Sequence, residues 1–296
     1  MSDRLPDNLR LLYSTFGENA IGHILPGDTF MIDGVEFVCQ YSPGSTAERF
    51  YIVKNLQLVE RYRQLCDQVV GGTIVELGIA EGGSTALLAL LARPTRLVAI
   101  DLESERLEAL DAFIEHRGLH EVVRPLFGVD QSDRERLAQL VDHELAGAPL
   151  DLVIDDCSHQ YRPTRASFEA LFPRLRPGGL YAIEDWNADH VMYDAVRTGL
   201  SDTAAPNHEE LVAHFQSQLR DPAHNEATRQ RDPLTRLAME LVVARSSLTD
   251  AIAEVAVDEF WITIRRGPGE LDSSFCLGDH YHDHFGFVPP PRDGRV

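Results

Sequence analysis

Lysine is almost missing from this sequence: of its 27 basic residues only Lys54 is a lysine, the rest being arginine. Chemistry that requires a lysine therefore has one candidate. Cysteine is sparse as well. Cys39, Cys66, Cys157 and Cys276 lie far apart with no CxxC pair, which argues against a zinc knuckle or a disulfide scaffold and makes a reducing cytoplasm the expected location. No run approaches the roughly 20 apolar residues of a membrane-spanning helix. The opening stretch MSDRLPDNLRLLYSTFGENA has no apolar core behind a basic segment, so neither export nor membrane insertion is expected. Positive charge is also short, with a formal net charge of -20. A polyanion would be repelled rather than steered in, which disfavours nucleic acid and anionic membranes as partners and favours a small neutral or cationic ligand.

What is present is an alternation of strands and helices. Residues 1–66 read as a turn-rich cap with a short hairpin, followed by a helix over FYIVKNLQLVERYRQLC, where Ile52, Leu56, Val59 and Cys66 repeat near helical spacing. Residues 67–186 form the core. TIVELG, RLVAID, VVRPLFG, LDLVID and GLYAIED are apolar strands, separated by helices. One of these helices opens with Ser132 and Glu135 in a capping-box pattern, and another buries Phe168, Leu171, Phe172 and Leu175. Strands of this kind call for a doubly wound, Rossmann-like α/β sheet, mostly parallel and covered on both faces. Residues 187–250 read as a polar helical insertion with Asn207 and Glu210 as a further cap signature. Residues 251–296 read as a hairpin around Asp258 and Glu259, which adds an antiparallel strand, and a tail.

The first strand runs into the loop ELGIAEGGS, Glu76 to Ser84. Glycines there let backbone N–H groups and a helix N-terminus approach a ligand. Gly78, Gly82 and Gly83 do not have the GxGxxG spacing of dinucleotide binders, and Glu76 would face an anionic pyrophosphate. A carboxylate at that point suits a cationic ligand. The second strand ends at Asp101, roughly 20 residues on, where an acid can accept from both ribose hydroxyls. These features resemble the class I S-adenosylmethionine-dependent methyltransferases. The resemblance implies that Glu76, Gly78, Gly82, Gly83 and Ser84 face the amino-acid part of S-adenosyl-L-methionine, that Asp101 holds its ribose, and that Asp130 lies near the adenine.

Two further strands end in acids: Asp155 and Asp156, then Glu184 and Asp185. Adjacent parallel strands lie about 4.8 Å apart, so the two pairs crowd together at the ligand-binding edge of the sheet. Such carboxylates must share protons, find arginines such as Arg162 and Arg165, or hold a cation. With only oxygen donors evident, the cation would be hard, Mg2+ rather than Zn2+. His159 follows Asp156 by three positions. The stretch DDCSHQYRPTRASFEALFPRLRPGGLYAIEDW resembles the metal-dependent macrolide and natural-product sugar O-methyltransferases. Catechol methyltransferases share the ligand spacing but have a lysine where His159 stands. The resemblance implies metal ligands at Asp156, Glu184 and Asp185 and a general base at His159. Asp155 reads as a cap or a backbone partner instead. His280, His282 and His284 alternate in a tail expected to be solvated, and Trp186 and Trp261 are expected to pack in the core.

The expected activity is therefore Mg-dependent O-methylation of a small acceptor, a hydroxyl or vicinal diol on a sugar or glycosylated natural product. The alternatives are a catechol or phenolic acceptor, or a non-catalytic S-adenosylmethionine-binding partner protein. The sequence leaves the subunit count open. Related sugar enzymes are commonly homo-oligomers, and the N-terminal cap is the segment that could cross to a neighbour.

Overall fold

A computed structural model describes residues 27–40, 42, 44–187 and 233–281. Its main sheet has seven strands: β4 (Thr73–Leu77), β5 (Arg96–Ile100), β6 (Val123–Leu126), β7 (Leu150–Asp155), β8 (Leu175–Glu184), β9 (Ile252–Val257) and β10 (Trp261–Arg266). Their spatial order is β6-β5-β4-β7-β8-β10-β9. The first five run parallel, and β10 pairs antiparallel with both β8 and β9. This is the doubly wound sheet with an added antiparallel strand that the alternation predicts. Every residue of β4 and β7 is buried, as expected for strands covered on both faces. The order reverses direction between β4 and β7, the switch point at whose C-terminal edge open α/β sheets bind ligands.

Six α-helices are described: α1 (Leu56–Asp67), α2 (Gly83–Ala92), α3 (Glu108–His116), α4 (Arg134–Leu145), α5 (Tyr161–Leu171) and α6 (Thr235–Arg245). Helix α2 is apolar nearly all round and buries nine of its ten residues. The short lead-in forms a second sheet from β1 (Thr29–Ile32), β2 (Val35–Cys39) and β3 (Arg49–Ile52). Asp33 and Gly34, both at positive φ, make the tight hairpin between β1 and β2. Phe37, Phe50 and Phe113 contact ring to ring, at 6.2 Å and 5.6 Å, and lock this sheet onto α3.

The structure corrects the N-terminal helix. The stretch expected to be helical from Phe50 onward is strand β3 up to Ile52, and α1 begins only at Leu56. Phe50 and Ile52 are buried with Tyr51 between them less so, an alternation of period two. Asn55 then caps α1, its side chain accepting from the Leu58 amide at 2.9 Å. Lys54 therefore lies in the joint between strand and helix. The α4 cap also moves by one position. Asp133, not Ser132, accepts from Arg136 N at 3.0 Å, while Ser132 belongs to the preceding turn, its amide donating to Asp130 Oδ1 at 2.7 Å. Phe168 and Leu171 belong to α5, whereas Phe172 starts a 3-10 turn and Leu175 opens β8. The Asn207 and Glu210 signature, most of the helical insertion and His282 and His284 lie outside the described residues.

Candidate active site

The glycine loop and the acidic loop are pressed together by the parallel pairing of β4 with β7. Leu77 is in register with Asp155, and the Asp156 amide donates to Leu77 O at 2.9 Å. The next residue, Gly78, has φ of +96, and a Cβ there would strike the backbone carbonyl of Asp156. Only glycine satisfies both demands. On the other side, Asp101 Oδ2 accepts from the amides of Ile79 and Ala80 at 2.7 and 3.1 Å, and Oδ1 accepts from Glu103 N at 2.9 Å. Asp101 thus shapes the loop and keeps one acceptor site on Oδ1 for a ribose hydroxyl.

Glu76 is placed beneath this loop rather than at its surface. Its carboxylate is 1% exposed and accepts from Thr85 Oγ1 at 2.6 Å in the first turn of α2. Burial pushes its carboxyl up to about 7, opposed by the hydroxyls of Ser84 and Thr85. Gly82 precedes α2 at φ +84, and Gly83 and Ser84 open the helix, both buried, Gly83 against Tyr51 and Ile52 of β3. Asp130 caps the turn after β6, where the Ser132 hydroxyl and amide hold its carboxyl below the usual range.

The neighbouring aspartates at the end of β7 part company. Asp155 points into the core and is 2% exposed. It accepts from Gln131 Nε2 at 3.0 Å, Ser167 Oγ at 2.6 Å and Tyr181 Oη at 2.9 Å. Burial nevertheless pushes it up to about 6. Its role is structural, holding α5 and β8 against β7. Asp156 turns the other way, to the crevice. There its Oδ1 lies 3.8 Å from His159 Nε2, and Asp156, His159 and Asp185 each present a ligand atom within 4.8 Å of one another. His159 and Asp185 both have left-handed backbones, φ 50 and 52. Such strain at non-glycine residues collects where function fixes a side chain.

Glu184 is set apart from that trio. It is 2% exposed, and both oxygens are engaged: Oε1 accepts from Lys54 Nζ at 2.6 Å and Oε2 from Tyr62 Oη at 2.7 Å. Lys54 also donates to Asp156 Oδ2 at 2.7 Å and sits 4.9 Å from the Tyr62 ring centroid. Burial works against the charge on Lys54, but the two carboxylates outweigh it and push the ammonium's pKa up. Burial also pushes Glu184 up, to about 8, with the Asp156 charge adding to the rise and Lys54 opposing it. The two shifts pull the pair in opposite senses. One ammonium faces two carboxylates, and both hold it in its charged form. At the Asp185 carboxyl, loss of water raises the pKa, and His159 opposes this.

Neither Lys54 nor Tyr62 was singled out for the site by sequence reasoning. The arginines invoked there do something else: Arg165 bonds Glu169 and Tyr161 and lies 3.7 Å from Glu240. Trp261 packs in the core edge-on to Tyr62 at 5.0 Å, as expected, while Trp186 is only partly buried and donates to Asp258 O at 2.9 Å. His280 stacks on Phe275 at 5.7 Å.

The donor set is that of a hard divalent ion. Asp156 and Asp185 present carboxylate oxygens to one space, and the buried carboxyl of Glu184 adjoins it. This chemistry fits Mg2+ or a similar cation.

Comparison with known proteins bears directly on this crevice. Residues 75–186 match a family model described as "Methyltransferase domain". These residues are thus similar to methyltransferase domains over the stretch that holds the strand tips. Over 136 residues the chain is 35% identical to 8-demethyl-8-alpha-L-rhamnosyl tetracenomycin-C 2'-O-methyltransferase of Streptomyces olivaceus, covering 41% of this chain and 32% of that protein. Over 60 residues it is 52% identical to mycinamicin VI 2''-O-methyltransferase of Micromonospora griseorubida, covering 20% of this chain and 14% of that protein. The chain thus spans about a third or less of the length of these curated relatives. Among solved structures, it is similar to the MycE methyltransferase of the mycinamycin biosynthetic pathway in complex with Mg and SAH. That match has 24% identity, covers 71% of this chain and 48% of that one, and has a TM-score of 0.44. Within the matched stretch lie Glu76, the glycines, Asp101, Asp130, Asp156, His159, Glu184 and Asp185. Lys54 and Tyr62 enter it from the preceding segment. No helix among the described residues is long and apolar enough to cross a membrane.

Proposed function

We propose that the protein is an S-adenosylmethionine-dependent O-methyltransferase acting on a hydroxyl of a sugar or glycosylated natural product. The observation that carries this reading is the convergence of Asp156, His159 and Asp185 on one space, with Asp156 in direct backbone contact with the glycine loop at Gly78. The donor and the acceptor would then meet across a single residue. The names of the relatives, all sugar-directed O-methyltransferases, support the acceptor class.

In this reading the glycine loop and the α2 N-terminus bind the amino-acid part of the sulfonium donor, and Asp101 accepts from its ribose. Asp130 borders the adenine. A hard divalent cation would be held by Asp156 and Asp185, with Glu184 as the third ligand, and when bound it would stabilise a developing alkoxide. His159 takes the acceptor's proton while the sulfur–methyl bond breaks and the oxygen–methyl bond forms. Held by its strained backbone beside Asp156, the imidazole is already oriented. Alignment of this kind can supply about 7–11 kcal/mol toward the barrier.

The test is incubation with labelled S-adenosylmethionine and a panel of glycosylated natural products and catechols, with and without a chelator. Label is expected on a sugar hydroxyl, with transfer slowed by chelation. Transfer to catechols alone would move the acceptor to the phenolic class, and no transfer to any acceptor would refute the proposal.

A further inference from the structure

We infer that Lys54 is the resident counter-cation of the strand-tip carboxylates, and that a divalent ion gains Glu184 as a ligand only by displacing the Lys54 ammonium from it. The inference rests on the proposed metal site and deepens it.

The geometry is specific. Lys54 Nζ lies 2.7 Å from Asp156 Oδ2 and 2.6 Å from Glu184 Oε1, two of the three acids proposed to hold the ion. Lys54 is 5% exposed and Glu184 2%, so neither charge is screened by water. The remaining oxygen of Glu184 is fixed by Tyr62 Oη, and Tyr62 is itself fully buried and packed edge-on to Trp261. With Tyr62 packed in place, the partner that Glu184 can release on turning to the crevice is the Lys54 ammonium on its flexible stem. Asp156 is the pivot, with Oδ2 on the ammonium and Oδ1 facing His159 and Asp185. A divalent ion on Oδ1 and an ammonium on Oδ2 would share one carboxylate and repel each other across it.

Residue choice points the same way. Every other basic residue is arginine, whose planar, forked guanidinium suits bidentate surface pairs. The buried cation that faces the strand-tip acids alone carries the compact ammonium on a flexible stem. Such a group can occupy a cation's place and also withdraw from it. Its stem leaves the chain at the joint between β3 and α1, which Asn55 fixes at the helix cap.

The experiment uses the full chain and Mn2+ as probe, with free Mn2+ followed by electron paramagnetic resonance and thermal unfolding recorded with and without the ion. Lys54→Met is expected to bind Mn2+ at least tenfold more tightly than wild type, and to gain more thermal stability from it. Lys54→Arg, which keeps the charge, is expected to bind as weakly as wild type. Adding Asp185→Asn to Lys54→Met should remove most of the gained affinity, because the ion then loses its crevice ligand. Should Lys54→Met not fold without metal, Lys54→Gln replaces it, retaining an N–H donor for Asp156 but no charge. Equal Mn2+ affinity in wild type and in the folded neutral variant, or weaker binding in the latter, would overturn the inference. Tightening by Lys54→Arg would overturn it too. None of these measurements involves methyl transfer, so failure of the proposed activity would register separately, as absent transfer by wild type.

Discussion

Asp155 offers a quantitative check on the core beneath the site. Its carboxylate is buried among three donors, Gln131, Ser167 and Tyr181, yet burial wins and raises its pKa from 3.8 to about 6. A carboxyl whose folded pKa is raised keeps its proton in the folded protein after the unfolded chain has released it. Its stabilising contribution is complete below the unfolded value and is lost as pH climbs through the folded one. A rise of about 2 units corresponds to about 3 kcal/mol at 1.36 kcal/mol per unit. Asp155→Asn preserves the shape of the side chain and cannot titrate. Urea unfolding of both proteins, measured from about pH 3.5 to pH 7, isolates the effect as the stability difference between them, since every other ionising group cancels. That difference should shift by about 3 kcal/mol in favour of the variant as pH rises through this window. A difference that stays constant across it would show that the three donors balance burial, and the reasoning would fail.

Glu76→Gln should behave in the same sense, with its window running from 4.5 to about 7, and the same pair of unfolding curves checks it. Gly78→Ala places a Cβ against the Asp156 carbonyl at a left-handed backbone. It is expected to lower stability by about 2–4 kcal/mol and to weaken S-adenosylmethionine binding in calorimetry, whereas unchanged binding would mean that the two loops do not need their close approach. Asp156→Asn should abolish methyl transfer and leave cofactor binding nearly intact; parallel loss of both would place the residue in the cofactor site instead. His159→Ala should lower turnover about 100-fold at neutral pH and recover in part at alkaline pH, where hydroxide takes the proton. A rate profile that keeps its shape would remove His159 from the base role.

What the sequence discloses follows the range of the interactions involved. The parallel strands are legible because their burial on both faces is written in consecutive residues, as in TIVEL and LDLVID. The glycine loop is legible because a turn between strand and helix is local. Asp155 and Asp156 are legible as a pair but not as individuals. Consecutive residues of a strand face opposite ways, and which way leads to the core depends on where Ser167 and Tyr181 arrive. The α4 cap shifts by one because Ser132 and Asp133 are both good cap residues, and only the turn that Asp130 closes on the Ser132 amide decides between them. Lys54 was hidden most completely. Its partners lie 102 and 130 residues away, and the strand that delivers it is only four residues long. A four-residue alternation is too short to separate from a helix period, so the lysine was placed on a helix and set aside. Its rarity was the one available signal, and it bears on the chemistry directly: the acids at the strand tips did require a positive charge, and the chain brings part of it from the segment before residues 75–186. Replacing Lys54 in the intact chain with a neutral residue would leave Glu184 buried opposite no cation, and breaking a buried pair from one side typically costs about 3–5 kcal/mol. The segment carrying β3 and α1 therefore belongs to the site as much as the glycine loop does.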